Sequence, residues 1–151
     1  MPEAVVIRPA EYADLSGLVC LLEALFSLEE DFRFNPAKQR RGLEMMLNNG
    51  RGRILTACNA NGTVVGMCSG QLTISTAEGG PAVLIEDVVV HKDWRGQGIG
   101  ARLMNEISQW AQENRAQRLQ LLADVDNSAA LDFYAHLGWR KTQLICLRNR
   151  M

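Results

Sequence analysis

The sequence predicts an α/β fold, also describable as α+β, in which one mixed sheet is flanked by helices. The chain has 151 residues, 47% of them hydrophobic, which suits a single compact domain covering residues 1–151. Apolar spacing predicts the order strand, two helices, three strands, helix, strand, helix, strand. The most apolar run, Val83 to Val90, is interrupted only by Glu86 and Asp87 and predicts a central strand.

The N-terminal segment predicts a strand followed by a helix. Ala4 to Arg8 reads as the strand, and Pro9 ends it because proline has no amide hydrogen for the ladder. Asp14 is the expected N-cap of the helix. The buried stripe of this helix is predicted at Leu15, Leu18, Leu22 and Leu25. Residues 29–34 leave the pattern, so we expect a loop there.

A second helix and a hairpin come next. Asn35 followed by Pro36 predicts a helix start, because the amide caps N–H groups and proline suits the first helical position. The segments Arg53 to Ala57 and Thr63 to Ile74 are rich in branched residues and flank Asn59-Ala60-Asn61-Gly62. We therefore expect an antiparallel hairpin.

The C-terminal elements follow the glycine-rich loop Arg95 to Gly100. A long helix is predicted from its apolar face, formed by Ile99, Leu103, Ile107 and Trp110. Leu119 to Val125 alternates as a strand does. Asn127 is expected to cap the last helix, Gly138 to close it, and Trp139 to Leu147 to form the final strand.

Composition excludes several classes of partner. Lysine and arginine number 16 against 17 aspartates and glutamates, so a net charge of -1 predicts no nucleic-acid partner. The N-terminus has no basic leader and no stretch approaches the roughly 20 apolar residues of a membrane span, so we expect a cytoplasmic protein without a membrane partner. Single cysteines among apolar residues predict buried thiols and no metal site. They are Cys20, Cys58, Cys68 and Cys146.

The loop from Arg95 to Gly100 carries the main functional signal. It lies between a buried strand and a helix, whose first-turn N–H groups are unpaired and carry partial positive charge. Its three glycines leave room for a bulky anion such as a pyrophosphate. No Gly-Lys-Ser or Gly-Lys-Thr follows, which excludes a Walker loop. A tight connection that merely needs glycine is the alternative without a ligand.

A dinucleotide site is another alternative. Gly96, Gly98 and Ala101 satisfy the pattern G-x-G-x-x-A, and Asp124 is a candidate ribose ligand. However, several residues separate the strand from the first glycine, and only one helix and one strand follow Asp124. That leaves no room for a second nucleotide-binding half, and an antiparallel hairpin does not belong in a doubly wound parallel sheet.

Residues on both sides of the loop resemble the GNAT family of N-acetyltransferases. Arg95, Gly98 and Gly100 match its signature of Gln or Arg, two residues, Gly, one residue, then Gly or Ala. Ile7-Arg8-Pro9 resembles the family's opening, and Asn127 to Trp139 resembles its second coenzyme-contacting motif. The resemblance implies a small single-domain protein of bacterial type, with a mostly antiparallel sheet of six to seven strands and about four helices. It also implies acetyl-coenzyme A as cosubstrate, without a metal.

The resemblance further implies the coenzyme site. Main-chain groups of Val88 and Val90 would pair with the pantetheine arm, and Gly96 to Ala101 would hold the pyrophosphate. The residues that the resemblance implies contact the coenzyme are Val88, Val89, Val90, Arg95, Gly96, Gln97, Gly98, Ile99, Gly100, Ala101, Asn127, Ala130, Phe133 and Tyr134.

The implied reaction is direct attack of a neutral amine on the thioester, without an acyl-enzyme. Tyr134 occupies the family position of the proton donor to the departing thiolate, and a phenol of pKa about 10 is protonated at neutral pH. Glu86 is our candidate base, because it sits in the strand that should run beside the acetyl group and because carboxylates in apolar surroundings have raised pKa values. Some family members instead place a glutamate on the following strand, where this chain has Leu122. Ordered water is the alternative base, and the N–H of Val88 would meet the oxyanion.

The acceptor amine is the least defined part of the site. In the family, acceptor specificity comes mainly from the region between the first two helices. In this chain that region, residues 29–34, contains three carboxylates and two phenylalanines, which suit a cationic amine. A solvated acidic loop is the alternative. The candidate acceptor-binding residues are Glu29, Phe32, Glu86 and Asp87, although strand alternation points Asp87 away from Glu86. We expect a small-molecule primary amine. Protein N-termini or lysines, a non-catalytic acetyl-coenzyme A-binding module, and a homodimer stay open.

Overall fold

A computed structural model describes residues 4–28 and 32–151 of the chain, which separate into two compact units divided after Gln120. The helices are α1 (Leu15–Leu28), α2 (Pro36–Leu47), α3 (Ile99–Glu113) and α4 (Ser128–His136). The strands are β1 (Val6–Pro9), β2 (Gly52–Cys58), β3 (Val64–Ser75), β4 (Gly80–Val90) and β5 (Leu119–Leu121). Two single-turn 3-10 helices cover Tyr12–Asp14 and Lys92–Trp94.

One sheet contains the strands in the order β1-β2-β3-β4-β5. The β1–β2, β2–β3 and β3–β4 pairs are antiparallel, so the predicted α/β fold with a mostly antiparallel sheet is confirmed. The predicted hairpin joins β2 to β3. In its turn, the N–H of Asn59 donates to the carbonyl of Thr63 at 2.9 Å, and the N–H of Gly62 donates to the carbonyl of Asn59 at 2.9 Å.

The expected number of six to seven strands is too high, because the C-terminal part of the described chain adds only β5. The strand predicted from Leu119 to Val125 ends at Leu121, and the described residues 139–147 form no strand. Apolar side chains at least 80% exposed there are Leu144, Ile145 and Leu147. A strand needs a neighbour for its N–H and C=O groups, and apolar alternation alone does not supply one.

Two faces of β3 pack against different helices, because successive side chains of a strand alternate. On one face, Met67 joins the leucine stripe of α1 in the core cluster. The buried leucines of α1 are Leu15, Leu18, Leu21 and Leu22, whereas Leu25 is half-buried. On the other face, a Cβ added to Gly70 would lie 3.1 Å from the side chains of Ile107 and Trp110 in α3. Glycine on β3 therefore lets α3 approach closely.

The predicted starts of α2 and α4 are confirmed. The side-chain oxygen of Asn35 accepts a hydrogen bond from the N–H of Lys38 at 3.2 Å. The side-chain oxygen of Asn127 accepts one from the N–H of Ala130 at 3.1 Å. Gly138, which follows α4, has the left-handed conformation predicted for it, with φ of 91°.

The prediction that Asp14 caps α1 is wrong. Asp14 ends the first 3-10 helix, and its carboxylate accepts hydrogen bonds from both Nη atoms of Arg8, at 2.7 and 2.9 Å, and from the N–H of Glu11 at 2.7 Å. The Arg8 guanidinium lowers the pKa of this carboxyl below its ordinary value, while burial opposes that change. The carboxylate thus bonds to groups that precede it in the chain, Arg8 and the N–H of Glu11, instead of capping the first turn of α1.

The cysteines divide into two kinds, all with free thiols. Cys58 and Cys68 are buried as predicted, whereas Cys20 and Cys146 are exposed, so the prediction is wrong for those two. Among the described residues, no group of three or more His, Cys, Asp and Glu side chains is arranged to hold a metal ion. Within the same ranges, every helix is too short or too polar to cross a membrane.

Candidate functional site

The glycine loop has open space above a helix N-terminus. Gly96 and Gly98 have φ angles of 77° and 80°, which disfavour any residue with a side chain, and a Cβ at either position would meet nothing within 4 Å. Gly98 is the N-cap of α3, and among the described residues no side chain caps the first turn. The N–H groups of this turn can therefore receive an anion, as the sequence predicts.

Two hydrogen bonds hold the glycine loop and the segment before it against the sheet. Arg95, which begins it, donates from Nε to the carbonyl of Val90 at 3.0 Å. His91 donates its N–H to the carbonyl of Val65 in β3 at 2.8 Å. At the other end, Ile99 is buried in the core. The exposed glycines thus lie between two anchored ends, and the bond from Arg95 to Val90 is a contact that the sequence did not predict.

The strand β4, which lies between β3 and β5 in the sheet, contains an irregularity beside the predicted catalytic residue Glu86. Met67 pairs with Val89, but Ser69 pairs with Glu86, so two residues of β4 lie opposite the single residue Cys68. This is a β-bulge, formed by Asp87 and Val88. Asp87 has φ of 55°, a left-handed conformation that residues with side chains seldom adopt.

The bulge corrects two predictions about the carboxylates of β4. Because the left-handed residue interrupts strand alternation, that alternation cannot be used to place Asp87 opposite Glu86. Glu86 itself is exposed, so the expectation of apolar surroundings for its carboxylate is wrong. Its carbonyl, in contrast, accepts a hydrogen bond from the buried hydroxyl of Ser69 at 3.1 Å.

The cysteine opposite the bulge is not suited to nucleophilic chemistry. Burial raises the pKa of the Cys68 thiol to about 12, and the negative charge of Asp87 contributes to the increase. The thiolate is the reactive form of cysteine, and at neutral pH it is essentially absent here. The burial and the raised pKa of Cys68 are thus compatible with the predicted direct attack, in which no acyl-enzyme forms.

Only part of the predicted acceptor region belongs to the described residues. Glu29 lies outside them, as do Glu30 and Asp31. Phe32 contacts Phe26 of α1, with 5.7 Å between ring centroids. A groove of about 290 Å³ lies between α1 and the start of α2, and it is lined by Ser16, Val19, Pro36, Ala37 and Arg40. These residues give the region between the first two helices a mostly apolar concave surface.

The second unit contains the predicted proton donor. Tyr134 is half-buried on α4, and its ring contacts those of Phe133 and Trp139, with centroid distances of 5.1 and 6.0 Å. The N–H of Trp139 donates to the carbonyl of Tyr134 at 3.0 Å. This aromatic group, together with the Asn127 cap, orders the helix that carries Ala130. The structure thus assembles the β4 and loop residues within the first unit and the α4 residues within the second.

Known proteins resemble this chain in sequence and in fold. The family model described as "Acetyltransferase (GNAT) family" matches residues 21–139. An aminoglycoside N(6')-acetyltransferase type 1 of Stenotrophomonas maltophilia is 24% identical over 145 residues, covering 94% of this chain and 90% of that protein. Streptothricin acetyltransferase A of Bacillus subtilis strain 168 is 40% identical over 68 residues, or 45% of this chain. This chain therefore covers only 39% of the length of that protein. It also covers 39% of the length of another curated N-acetyltransferase.

A solved structure resembles the chain over nearly its whole length. It is the structure of a transcriptional regulator from Bacillus halodurans C-125, with a TM-score of 0.85 and 29% sequence identity. The alignment covers 98% of this chain and 100% of that one.

Proposed function

The chain belongs to the GNAT family of acetyltransferases, and from this premise we propose that it transfers an acetyl group from acetyl-coenzyme A to a primary amine of a small molecule. One observation carries the proposal. The uncapped N-terminus of α3, preceded by the left-handed Gly96 and Gly98, is separated from β4, the strand that carries the bulge, by the 3-10 helix Lys92–Trp94 and the glycine loop. An open helix N-terminus and a distorted strand therefore lie close together along the chain, and together they support a coenzyme site.

For the coenzyme, we assign the pyrophosphate to the N–H groups of the loop and of the first turn of α3, because both present partial positive charge. The pantetheine arm would extend along the main chain of Val88, Val89 and Val90. Asn127, Ala130 and Phe133 would contact the coenzyme from α4. No step of this binding requires a metal ligand.

For the reaction, the neutral amine attacks the thioester carbonyl and forms a C–N bond, and the C–S bond then breaks. The N–H of Val88 stabilises the oxyanion between the two steps. A base, Glu86 or ordered water, takes the proton that the amine nitrogen loses. Tyr134 gives a proton to the departing coenzyme thiolate, so that the thiol leaves as a neutral group.

The names of two relatives support a small cationic acceptor. One is an aminoglycoside acetyltransferase and the other a streptothricin acetyltransferase. Both names describe those proteins, and for this chain they favour a small molecule over a protein amine. A non-catalytic acetyl-coenzyme A-binding module is the alternative of another class. The predictions of a single domain, a cytoplasmic location and a homodimer stay predictions.

An acetyl-transfer assay over a panel of amines tests the function. The protein is mixed with acetyl-coenzyme A, and release of the free thiol is followed with an aminoglycoside, a streptothricin, a polyamine, an amino-sugar phosphate and a peptide with a free N-terminus. We expect thiol release above the hydrolysis rate with at least one of the small amines. Release with the peptide alone would favour the protein-acetylating alternative. No release, despite binding of acetyl-coenzyme A in a thermal-shift measurement, would favour the non-catalytic module.

The replacement Gly98→Ala tests the coenzyme loop. We expect a dissociation constant for acetyl-coenzyme A about tenfold higher, because a left-handed alanine costs roughly 1–2 kcal/mol and displaces the N–H groups that face the pyrophosphate. Isothermal titration calorimetry measures this constant. Gly62→Ala is the matched control, since Gly62 also has φ of 80° with open space around it but lies in the β2–β3 turn. If both variants bound acetyl-coenzyme A with the same affinity, the assignment of the pyrophosphate to this loop would be wrong.

The replacement Glu86→Gln tests the base. If Glu86 accepts the amine proton, kcat/KM should fall by about 100-fold at neutral pH, the lower end of the usual effect of a general base. The exposed position of its carboxylate makes the lower end the appropriate expectation. Glu113→Gln is the control, because Glu113, at the end of α3, is also an exposed glutamate. If kcat/KM of Glu86→Gln stayed within about twofold of the wild-type value, ordered water would be the base instead of Glu86.

A further inference from the structure

A buried hydroxyl on β3 contacts β4 immediately before the bulge. Ser69 is only 2% exposed, pairs with Glu86 across the two strands, and donates its Oγ–H to the carbonyl of Glu86 at 3.1 Å. That carbonyl belongs to the peptide that leads into Asp87, the residue with the left-handed conformation. The hydroxyl therefore holds the main chain at the point where its direction changes.

The bulge needs such a restraint on both sides. A residue with a side chain pays about 1–2 kcal/mol to adopt the left-handed conformation, so Asp87 favours a return to regular pairing. Sliding β4 by one residue would relieve this strain, but it would also reverse the faces of the following side chains. Val89 opposes that slide, because it is 6% exposed and part of the core cluster with Met67. Ser69 opposes it from the other side of the bulge.

We propose that Ser69 is a positioning residue for acetyl transfer. By holding the carbonyl of Glu86, its hydroxyl fixes the Glu86–Asp87 peptide. Through the left-handed Asp87, this peptide sets the orientation of the Asp87–Val88 peptide and thereby the direction of the Val88 N–H. The inference rests on the proposed function, in which this N–H meets the oxyanion. A donor of this kind stabilises the transition state only when it is aimed at the developing charge, and a small misplacement lowers the rate without preventing coenzyme binding.

The variant Ser69→Ala removes the hydroxyl and leaves the rest of the strand pair in place. We expect kcat to fall by about tenfold, while the KM for acetyl-coenzyme A changes by less than about twofold, because the pyrophosphate loop is untouched. The coupling between the amide and α protons of Asp87, measured by NMR, depends on φ and should change as well. This coupling reports the bulge without any need for catalysis.

The variant Thr56→Val is the matched control. Thr56 is fully buried on β2, and its hydroxyl donates to the carbonyl of Arg8 in β1 at 3.1 Å, so each variant loses one hydroxyl-to-carbonyl bond between neighbouring strands. Thr56→Val also loses the weaker contact with the Cys58 thiol at 3.7 Å, which makes it the stricter control for stability. Both should lose similar stability in thermal melts. Only Ser69→Ala should lose kcat and change the Asp87 coupling.

Three outcomes separate this inference from the proposed function. A wild-type kcat and an unchanged Asp87 coupling in Ser69→Ala would overturn the positioning role. An equal loss of kcat in Ser69→Ala and Thr56→Val would also overturn it, because general destabilisation would then explain the effect. If the wild-type protein acetylates no amine, the proposed function and the catalytic part of the inference fail together, and the coupling alone decides whether Ser69 holds the bulge.

Discussion

Replacing Tyr134 by phenylalanine is expected to lower kcat by about 100- to 10,000-fold, the range typical of losing a general acid. The phenylalanine ring retains the contacts with Phe133 and Trp139, whose ring centroids lie 5.1 and 6.0 Å away, so α4 should keep its structure. The departing thiolate would then leave without a proton from the enzyme. Steady-state kinetics with the best amine of the panel measure the loss, and calorimetry should show an affinity for acetyl-coenzyme A close to that of wild type.

The chain provides a matched control for this substitution in Tyr12, its other tyrosine. The hydroxyl of Tyr12 accepts a hydrogen bond from Asn48 at 3.2 Å, and the residue is 56% exposed. Tyr12→Phe removes a phenol hydroxyl from the first unit and should leave kcat within about twofold of wild type. A Tyr134→Phe variant as active as Tyr12→Phe would exclude Tyr134 as the acid. A large loss of coenzyme affinity in Tyr134→Phe would instead assign the hydroxyl to binding.

Replacing Asp14 by alanine is expected to lower the free energy of unfolding by about 2–3 kcal/mol. The carboxylate is 5% exposed and accepts three hydrogen bonds, two from Arg8 and one from the N–H of Glu11. Its removal leaves three donor groups without this acceptor, and only one of them, an Nη of Arg8, also donates to the carbonyl of Pro9, at 3.1 Å. The Arg8 side chain is 32% exposed, so water compensates part of the loss and the effect lies below that of a fully buried pair. Urea denaturation measures the difference.

The same pair predicts a dependence of stability on pH. The Arg8 hydrogen bond lowers the pKa of Asp14 in the folded protein, so the carboxylate stabilises the fold fully above the unfolded pKa of about 3.9. This contribution is lost as the pH falls through the lower, folded pKa. The difference between wild type and Asp14→Ala should therefore be constant near neutral pH and decrease in strong acid. A difference that grew in acid would contradict the assignment.

The exposed pair Arg40–Glu44 on α2 is the control for the ion pair. Its atoms are 3.2 Å apart and both side chains are more than a third exposed. Glu44→Ala should cost only a few tenths of a kcal/mol, roughly the usual value of a surface pair four residues apart on a helix. If Asp14→Ala and Glu44→Ala lowered the free energy of unfolding by the same amount, the burial of Asp14 would not be the source of its larger expected contribution.

Short-range features of the fold are predictable because their bonds join residues close in sequence. The Asn35 and Asn127 caps each bond to an N–H three residues away, and the turn from Asn59 to Gly62 closes on itself. For such groups the partner is fixed by the chain itself. The glycine loop is predictable for the same reason, since Gly96 and Gly98 need only their own backbone conformation and a following helix.

Partners that the local pattern does not specify explain the wrong predictions. Asp14 resembles a helix cap, yet Arg8, six residues earlier on β1, binds its carboxylate. Residues 139–147 have the apolar alternation of a strand but form none among the described residues, since pairing depends on a neighbour that alternation does not specify. Glu86 lies in the most apolar run of the chain, and its side chain is nevertheless exposed, because burial depends on what covers each face of the sheet.

The sequence by itself thus determined the α/β class, the order of most elements, the position of the glycine loop before α3 and the resemblance to the GNAT family, all of which depend on local pattern and motif spacing. Only the tertiary structure decided the bulge at Asp87 and the contact between Ser69 and Glu86. Both arise from the register of β3 against β4, two strands whose paired residues lie 17 positions apart at this point. Register depends on the packing of whole faces, so no short stretch of sequence specifies which hydroxyl meets which carbonyl.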